Sequence, residues 1–279
     1  MLEFIYDGEN KKLSQAIVLR YPMLGKGRVR MLIKNKEIVL NGKRVKEDEL
    51  IQKGSSIRIY TDLPKTNFDI PIVYEDDNLF VFNKPKGIET QGEYSVEGYA
   101  RTLCSNARAV HRLDLNTDGV IIVAKHEKAE ELLVRAIKEN KISKSYLALV
   151  YGQTEKQKEL RAYLKKDAKN SKVKIFNSQV DKSVHIITKY RTVFYGDGYS
   201  VIDIDLVTGR THQIRAQFAY IGHQVLGDGK YGRSDINSLF PYKKQALTAY
   251  KLKFNTEGEL GYLSGKIIEI DCSIKRLIK

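Results

Sequence analysis

Residues 111–124 read His-Arg-Leu-Asp-Leu-Asn-Thr-Asp-Gly-Val-Ile-Ile-Val-Ala. The second half, Val120 to Ala124, is an apolar run of β-branched and small residues with no polar interruption, the pattern of a strand buried on both faces of a sheet. The first half is a polar turn that delivers Asp114 immediately before that strand, where a side chain is held rigidly yet reaches a cleft. Taken alone, an aspartate in such a turn reads as a cap or an Asx-turn.

Working outward, Ile70 to Tyr74 and Leu79 to Asn83 flank the turn Glu75-Asp76-Asp77-Asn78 and predict a hairpin. Further strands are expected at Tyr146 to Val150, Tyr190 to Phe194, Ser200 to Leu206, Leu247 to Phe254 and Lys266 to Ile270. Lys128 to Glu139, with Leu132, Leu133, Ala136 and Ile137 on one face, predicts a helix, as does Thr211 to Ile221. These elements predict an α+β domain on a mixed, largely antiparallel sheet.

The first sixty residues differ. Leu13, Ile17 and Val18 have helical spacing, which Val29, Leu32 and Ile33 repeat after the Gly25 to Gly27 break. Glu37 to Val45 is two short strand-like runs about Asn41-Gly42, a strong hairpin signal, and Ile57 to Tyr60 is a third strand. This is a small α/β module. Thr61 to Asn67, with Pro64, has linker composition, so the expected domains are 1–62, a linker at 63–67, and 68–279.

The chain carries 48 Lys+Arg against 34 Asp+Glu, a net charge of +14. Eleven of those cations lie between Lys11 and Lys46, opposed by Glu37 alone, which points to a nucleic-acid partner for the module. The stretch Lys138 to Arg191, fourteen Lys/Arg against five acids, reads equally well as a solvated lysine-rich face. No apolar run approaches the roughly 20 residues of a membrane span, and the N-terminus lacks a basic region followed by an apolar one. Cys104 and Cys272 have no CxxC partner or clustered His, which argues against a disulfide scaffold or a zinc site and fits a reducing cytoplasm. Phosphate-cradling GxGxxG and GxxxxGK[ST] loops are absent.

Five segments in order carry a family resemblance. HRLDLNTDG at His111 to Gly119 and GRTHQIRAQFAYIGHQVLGDGKYG from Gly209 resemble the two long signatures of the pseudouridine synthases of the RluA type. NKPKG at Asn83 to Gly87, KSYLALVYG at Lys144 to Gly152 and QALTAYKLKF at Gln245 to Phe254 stand where that family has matching segments. Residues from about Lys11 to Tyr60 resemble the ribosomal-protein S-four-like RNA-binding module, although Lys12-Leu13-Ser14 stands where that module opens on Arg-Leu-Asp.

The resemblance implies a pseudouridine-synthase catalytic domain behind a small RNA-binding module, working on RNA, by association ribosomal RNA, without cofactor or metal and by default as a monomer. It makes Asp114 the catalytic aspartate, as nucleophile or as base. Arg215 becomes its ion-pair partner, Tyr146 the ring that stacks on the target base, and Ile214 an apolar lining of the base pocket. Arg112 becomes the residue that enters the RNA helix where the base has left. For His111 and His212 structural roles come first. Gln217, Gln224 and Gln245-Ala246-Leu247-Thr248 depart from the family pattern and are expected to shape the RNA-facing surface. The rival reading is a catalytically idle RNA-binding or ribosome-assembly factor on the same fold.

Overall fold

In the computed structural model, which describes every residue except 22, 23, 62–68, 93 and 279 and leaves aside the Lys26 side chain, the chain forms two units, Met1–Asp69 and Ile70–Lys279. The expected linker at 63–67 lies outside the described residues. Among those described, no helix is long and apolar enough to cross a membrane.

The first unit comprises β1 (Leu2–Ile5), β2 (Lys11–Lys12), α1 (Leu13–Arg20), α2 (Gly25–Lys34), β3 (Ile38–Leu40), β4 (Lys43–Arg44), β5 (Leu50–Ile51) and β6 (Ser56–Ile59). A sheet in the order β1-β6-β3-β4 packs on the helices through Leu13, Ile17, Val29, Ile38, Ile57 and Ile59. Asn41 and Gly42 take positive φ (48° and 81°), as the tight β3–β4 turn demands. Asp48 reaches the start of α1, accepting from the Ser14 backbone N–H (2.8 Å) and hydroxyl (2.7 Å), so an acid from a distant loop supplies the cap that the helix's own sequence lacks.

The second unit runs β7 (Ile72–Glu75), β8 (Leu79–Lys84), α3 (Val96–Leu103), β9 (Arg108–Ala109), β10 (Asp118–Ala124), α4 (Glu127–Lys138), β11 (Ile142–Tyr151), β12 (Gln157–Asp167), β13 (Lys172–Phe176), β14 (Val184–Gly196), β15 (Tyr199–Leu206), α5 (Gln213–Tyr220), α6 (Ser234–Asn237), β16 (Leu247–Phe254) and β17 (Ile267–Glu269). Its sheet follows the order β13-β12-β14-β15-β11-β16-β10-β8-β7, with β17 beside β16 and β9 beside β10. Among the described residues every pairing between these strands is antiparallel except β10 with β16. The sheet is therefore mixed and largely antiparallel, as expected.

The apolar run of β10 is sealed on both faces, Val120 to Ala124 being at most 1% exposed. The parallel pairing brings Gly119 against Ala249 so closely that a Cβ there would lie 2.0 Å from the Ala249 carbonyl, and the Gly119 φ is +118°. Only glycine lets the turn that bears Asp114 run straight into the strand.

Candidate active site

The residues flanking Asp114 are pinned by side-chain to backbone bonds. The Thr90 hydroxyl donates to the Leu113 carbonyl (3.0 Å) and accepts from the Leu113 N–H (3.1 Å). On the other side the Leu115 carbonyl accepts from the Gly87 N–H (2.7 Å) and the Lys84 ammonium (3.2 Å), and Lys84 also donates to Ile88 O (2.7 Å) and Pro85 O (3.1 Å). Lys84 is fully buried. Burial pushes it down to about 8, against the opposing charges of Asp118, Glu89 and Asp114, so it remains a cation at neutral pH. The His111 Nε2 accepts from the Ile122 N–H (3.1 Å), and burial holds this histidine neutral, pushing it down to about 3. His111 anchors the turn to β10.

Opposite this turn, α5 supplies Arg215. Its Nη1 donates to Asp114 Oδ2 at 2.7 Å, while Nε and Nη2 close on both oxygens of Asp228 at 2.7 and 2.9 Å. The Asp228 Oδ1 also accepts from the backbone N–H groups of Lys230 (2.8 Å) and Tyr231 (3.1 Å). Burial alone would raise Asp228, but Arg215 and these N–H groups hold it below the ordinary carboxylate value. Burial likewise opposes the Arg215 charge, and Asp228 and then Asp114 outweigh it and hold the guanidinium above its usual value. The Arg215 Cζ sits 5.3 Å from the Tyr231 ring centroid, so the planar fork is fixed by one carboxylate, one ring face and a second carboxylate. The Asp228 side chain is 1% exposed and that of Asp114 15%, so only the latter opens toward a substrate.

His212 precedes α5 with a left-handed φ of 55°. Its Nδ1 lies 2.8 Å from the Tyr231 hydroxyl, which itself accepts from the Val173 N–H (2.9 Å), and its Nε2 faces Asp114 Oδ1 at 3.9 Å. Burial holds the ring below its ordinary value, opposed by Asp114 and reinforced by Arg215.

A cleft of about 470 Å³ joins these groups and is lined by Arg112, Asp114, Tyr146, His212, Ile214 and Arg215 among others. All five residues singled out from the sequence thus share one cleft. Tyr146, on β11, is 5% exposed and sits where the β11–β16 register slips between Ser145 and Tyr146, a bulge that re-aims the side chain. Burial, with the Asp114 charge, raises its phenol, which stays neutral. Ile214 is 4% exposed, whereas Arg112 is exposed at the cleft edge.

The glutamines expected on the RNA-facing surface are instead buried: Gln217 is 1%, Gln224 4% and Gln245 3% exposed. Gln217 accepts from the Thr188 hydroxyl (2.6 Å), clamping α5 to β14 beside Gln213, whose amide donates to the same hydroxyl (2.9 Å). Gln224 accepts from the Arg233 N–H (2.7 Å), and Gln245 donates to Thr117 in the Asp114 turn (2.6 Å). Their amides satisfy internal polar groups that an apolar residue would leave unpaired. Asp228, Lys84, Thr90 and Tyr231 were not singled out from the sequence. For Asp228 a signal existed: an acid between Gly227 and Gly229 inside the second signature, where Gly227 (φ 73°) packs against the Lys244 carbonyl too closely for a Cβ.

A carboxylate 15% exposed to the cleft, ion-paired to a doubly anchored arginine and sharing that cleft with a buried tyrosine, makes a candidate enzyme site on a mixed sheet. A family model described as RNA pseudouridylate synthase matches residues 78–220, the segment holding Asp114, Tyr146 and Arg215. The chain is 31% identical over 252 residues to ribosomal large subunit pseudouridine synthase C of Rickettsia bellii, covering 80% of this chain and 82% of that one. It is 30% identical over 266 residues to an uncharacterized RNA pseudouridine synthase of Aquifex aeolicus, covering 83% and 80%. The human RNA pseudouridylate synthase domain containing 1 structure shares the fold, with a TM-score of 0.62 at 24% identity over 75% of this chain and 85% of that one. The chain belongs to the RNA pseudouridylate synthase family, isomerases that convert uridine in RNA to pseudouridine.

Proposed function

We propose that the chain converts specific uridines of structured ribosomal RNA to pseudouridine, with Asp114 as the carboxylate that acts on the target nucleotide. The reaction breaks the bond between N1 of uracil and the ribose C1′, turns the base, forms a bond from C5 to C1′ and releases the C5 proton to solvent, while N1 takes up a proton in its place. Atoms balance as an isomerisation, so no co-reactant is required. A carboxylate serves either as nucleophile toward the sugar or as base on it, and Arg215 fixes the Asp114 carboxylate in place through its 2.7 Å hydrogen bond.

Tyr146 supplies the flat wall for an extruded pyrimidine and Ile214 the apolar contact beside it. Arg112 stacks or contacts phosphate where the base has left the helix, a reading supported by its exposure at the rim of the cleft. The carrying observation is the 2.7 Å pair of Asp114 with Arg215 inside the cleft that Tyr146 lines.

Ribosomal RNA as substrate is supported by the relatives named for the large ribosomal subunit. The first unit is read as the S-four-like RNA-binding module, supported by its helices packed on a small sheet and by exposed Arg28, Arg30 and Lys34 on α2. The chain then works as a monomer in the cytoplasm, where ribosomes are built. Mapping pseudouridines in total RNA from cells with and without the gene tests this: at least one ribosomal uridine should lose its modification. Loss confined to transfer RNA contradicts the ribosomal assignment.

A further inference from the structure

β13, β12 and β14 make up the outer end of the long sheet, with β13 at its edge. Alternate side chains on these strands point to opposite faces. One face is buried, carrying Ala162, Leu164, Val173, Ile175 and Ile186 against Ala216 of α5. The other face carries three rings in one row. Tyr163 on β12 is paired in register with Phe176 on β13 and with His185 on β14. The Tyr163 and His185 ring centroids are 5.4 Å apart at 57°, Tyr163 and Phe176 are half-buried, and His185 is exposed.

Cations surround the row on the same face. Arg161 and Lys165 stand two residues either side of Tyr163, Lys174 two before Phe176, and Lys189 four beyond His185. The acids Glu159 and Asp167 lie at its ends: Glu159 pairs with Arg161 (2.5 Å) and Lys189 (3.3 Å), and Asp167 with Lys174 (3.3 Å). The cations of these pairs are exposed, and pairs of this kind contribute little stability. Among the described residues Lys165 has no ion-pair partner. The core packs on the opposite face, so burial does not call for rings here.

We propose that the Phe176–Tyr163–His185 row is a stacking platform for two or three unpaired bases of RNA, with Arg161, Lys165, Lys174 and Lys189 meeting the phosphates. Every base offers a π-face, so rings interleaved with cations suit single-stranded nucleic acid of any sequence. Rings standing 5.4 Å apart and tilted each present a separate face, which suits bases splayed out of a helix rather than a duplex. The platform lies on the face opposite α5, so the bases it takes are neighbours of the target uridine and not the target itself. The choice of RNA over other anions rests on the isomerase reading.

The test is fluorescence anisotropy of the full chain with a fluorescein-labelled oligouridylate of about 12 nucleotides and with a duplex RNA of equal length. Tyr163→Leu with Phe176→Leu keeps apolar bulk but removes the flat faces. It should weaken oligouridylate binding about tenfold or more while changing duplex binding less than about twofold. Tyr163→Phe should bind like the wild type, and thermal melting of each variant verifies folding. Arg161→Gln with Lys174→Gln should lower the salt dependence instead. Wild-type oligouridylate affinity in the double leucine variant, or an equal loss on duplex, overturns the platform. Tritium release from C5-labelled RNA reads the isomerase separately: release with unchanged oligouridylate binding in the variants overturns the platform alone. Ring-dependent binding without release supports the platform and contradicts the isomerase reading.

Discussion

Arg215 and Asp228 form a closed two-point pair, Nε to Oδ2 at 2.7 Å and Nη2 to Oδ1 at 2.9 Å, which leaves a single N–H edge of the guanidinium for Asp114. The arginine is thus aimed before any substrate arrives. Because Asp228 takes two backbone N–H bonds of its own, it fixes the arginine without depending on it for all of its solvation.

Asp228→Asn should therefore act through Arg215. Breaking one side of a buried pair costs about 3 kcal/mol or more, read as a lower midpoint in urea unfolding. The released guanidinium should lower kcat with little change in KM. A variant of wild-type stability and kcat would mean that Arg215 holds its place without Asp228.

Replacing Arg215 tests charge against geometry. Arg215→Met removes both the cation and the fork beside Asp114, so kcat should fall about 100-fold or more. Arg215→Lys keeps a cation but loses the planar fork, and should retain more of the activity. Equal losses in the two variants would assign Arg215 to geometry alone.

Lys84 sets a pH dependence of stability. Between about pH 8 and 10.5 the unfolded chain holds a proton at Lys84 that the folded chain has released, so this residue's contribution rises with pH across that window. The full rise is about 3 kcal/mol. Urea unfolding at both ends of the window should show the wild type gaining on Lys84→Met as pH increases. Parallel pH dependences would contradict a buried cation at this position.

Electrostatic binding by the first unit is measured by salt. Arg28→Gln, Arg30→Gln and Lys34→Gln together should reduce the slope of log affinity against log salt by about 2 to 3, since each phosphate contact contributes about 0.7 to 0.9. An unchanged slope would make this helix face merely solvated.

Much of this architecture is legible in the sequence where one physical rule dominates. The Val120 to Ala124 run announces a strand sealed on both faces, and Asn41-Gly42 announces a turn that needs two positive φ angles. β12 escapes notice because Leu160, Ala162 and Leu164 alternate among charged residues that dominate a composition reading, although the period of two is present. The helix α3 is short, and its signal is the Ser95 side chain accepting from the Gly98 N–H (3.0 Å), a cap that sequence alone does not distinguish from a loop serine. In the site, Asp114 and Arg215 stand within recognisable signatures. Thr90 and Lys84 act through backbone carbonyls and N–H groups, which leave no side-chain pairing pattern to read. Gln217, Gln224 and Gln245 mislead for the opposite reason: a polar residue suggests a surface, and these three are buried and bonded within the protein.

The most direct test is tritium release from C5-labelled uridine in ribosomal RNA by Asp114→Asn, alongside circular dichroism and RNA affinity. The amide is nearly isosteric and still accepts from Arg215, but it serves neither as nucleophile nor as base. The account predicts release at background level with the wild-type spectrum and RNA affinity retained. Release within a few fold of wild type would contradict it and remove Asp114 from the chemistry.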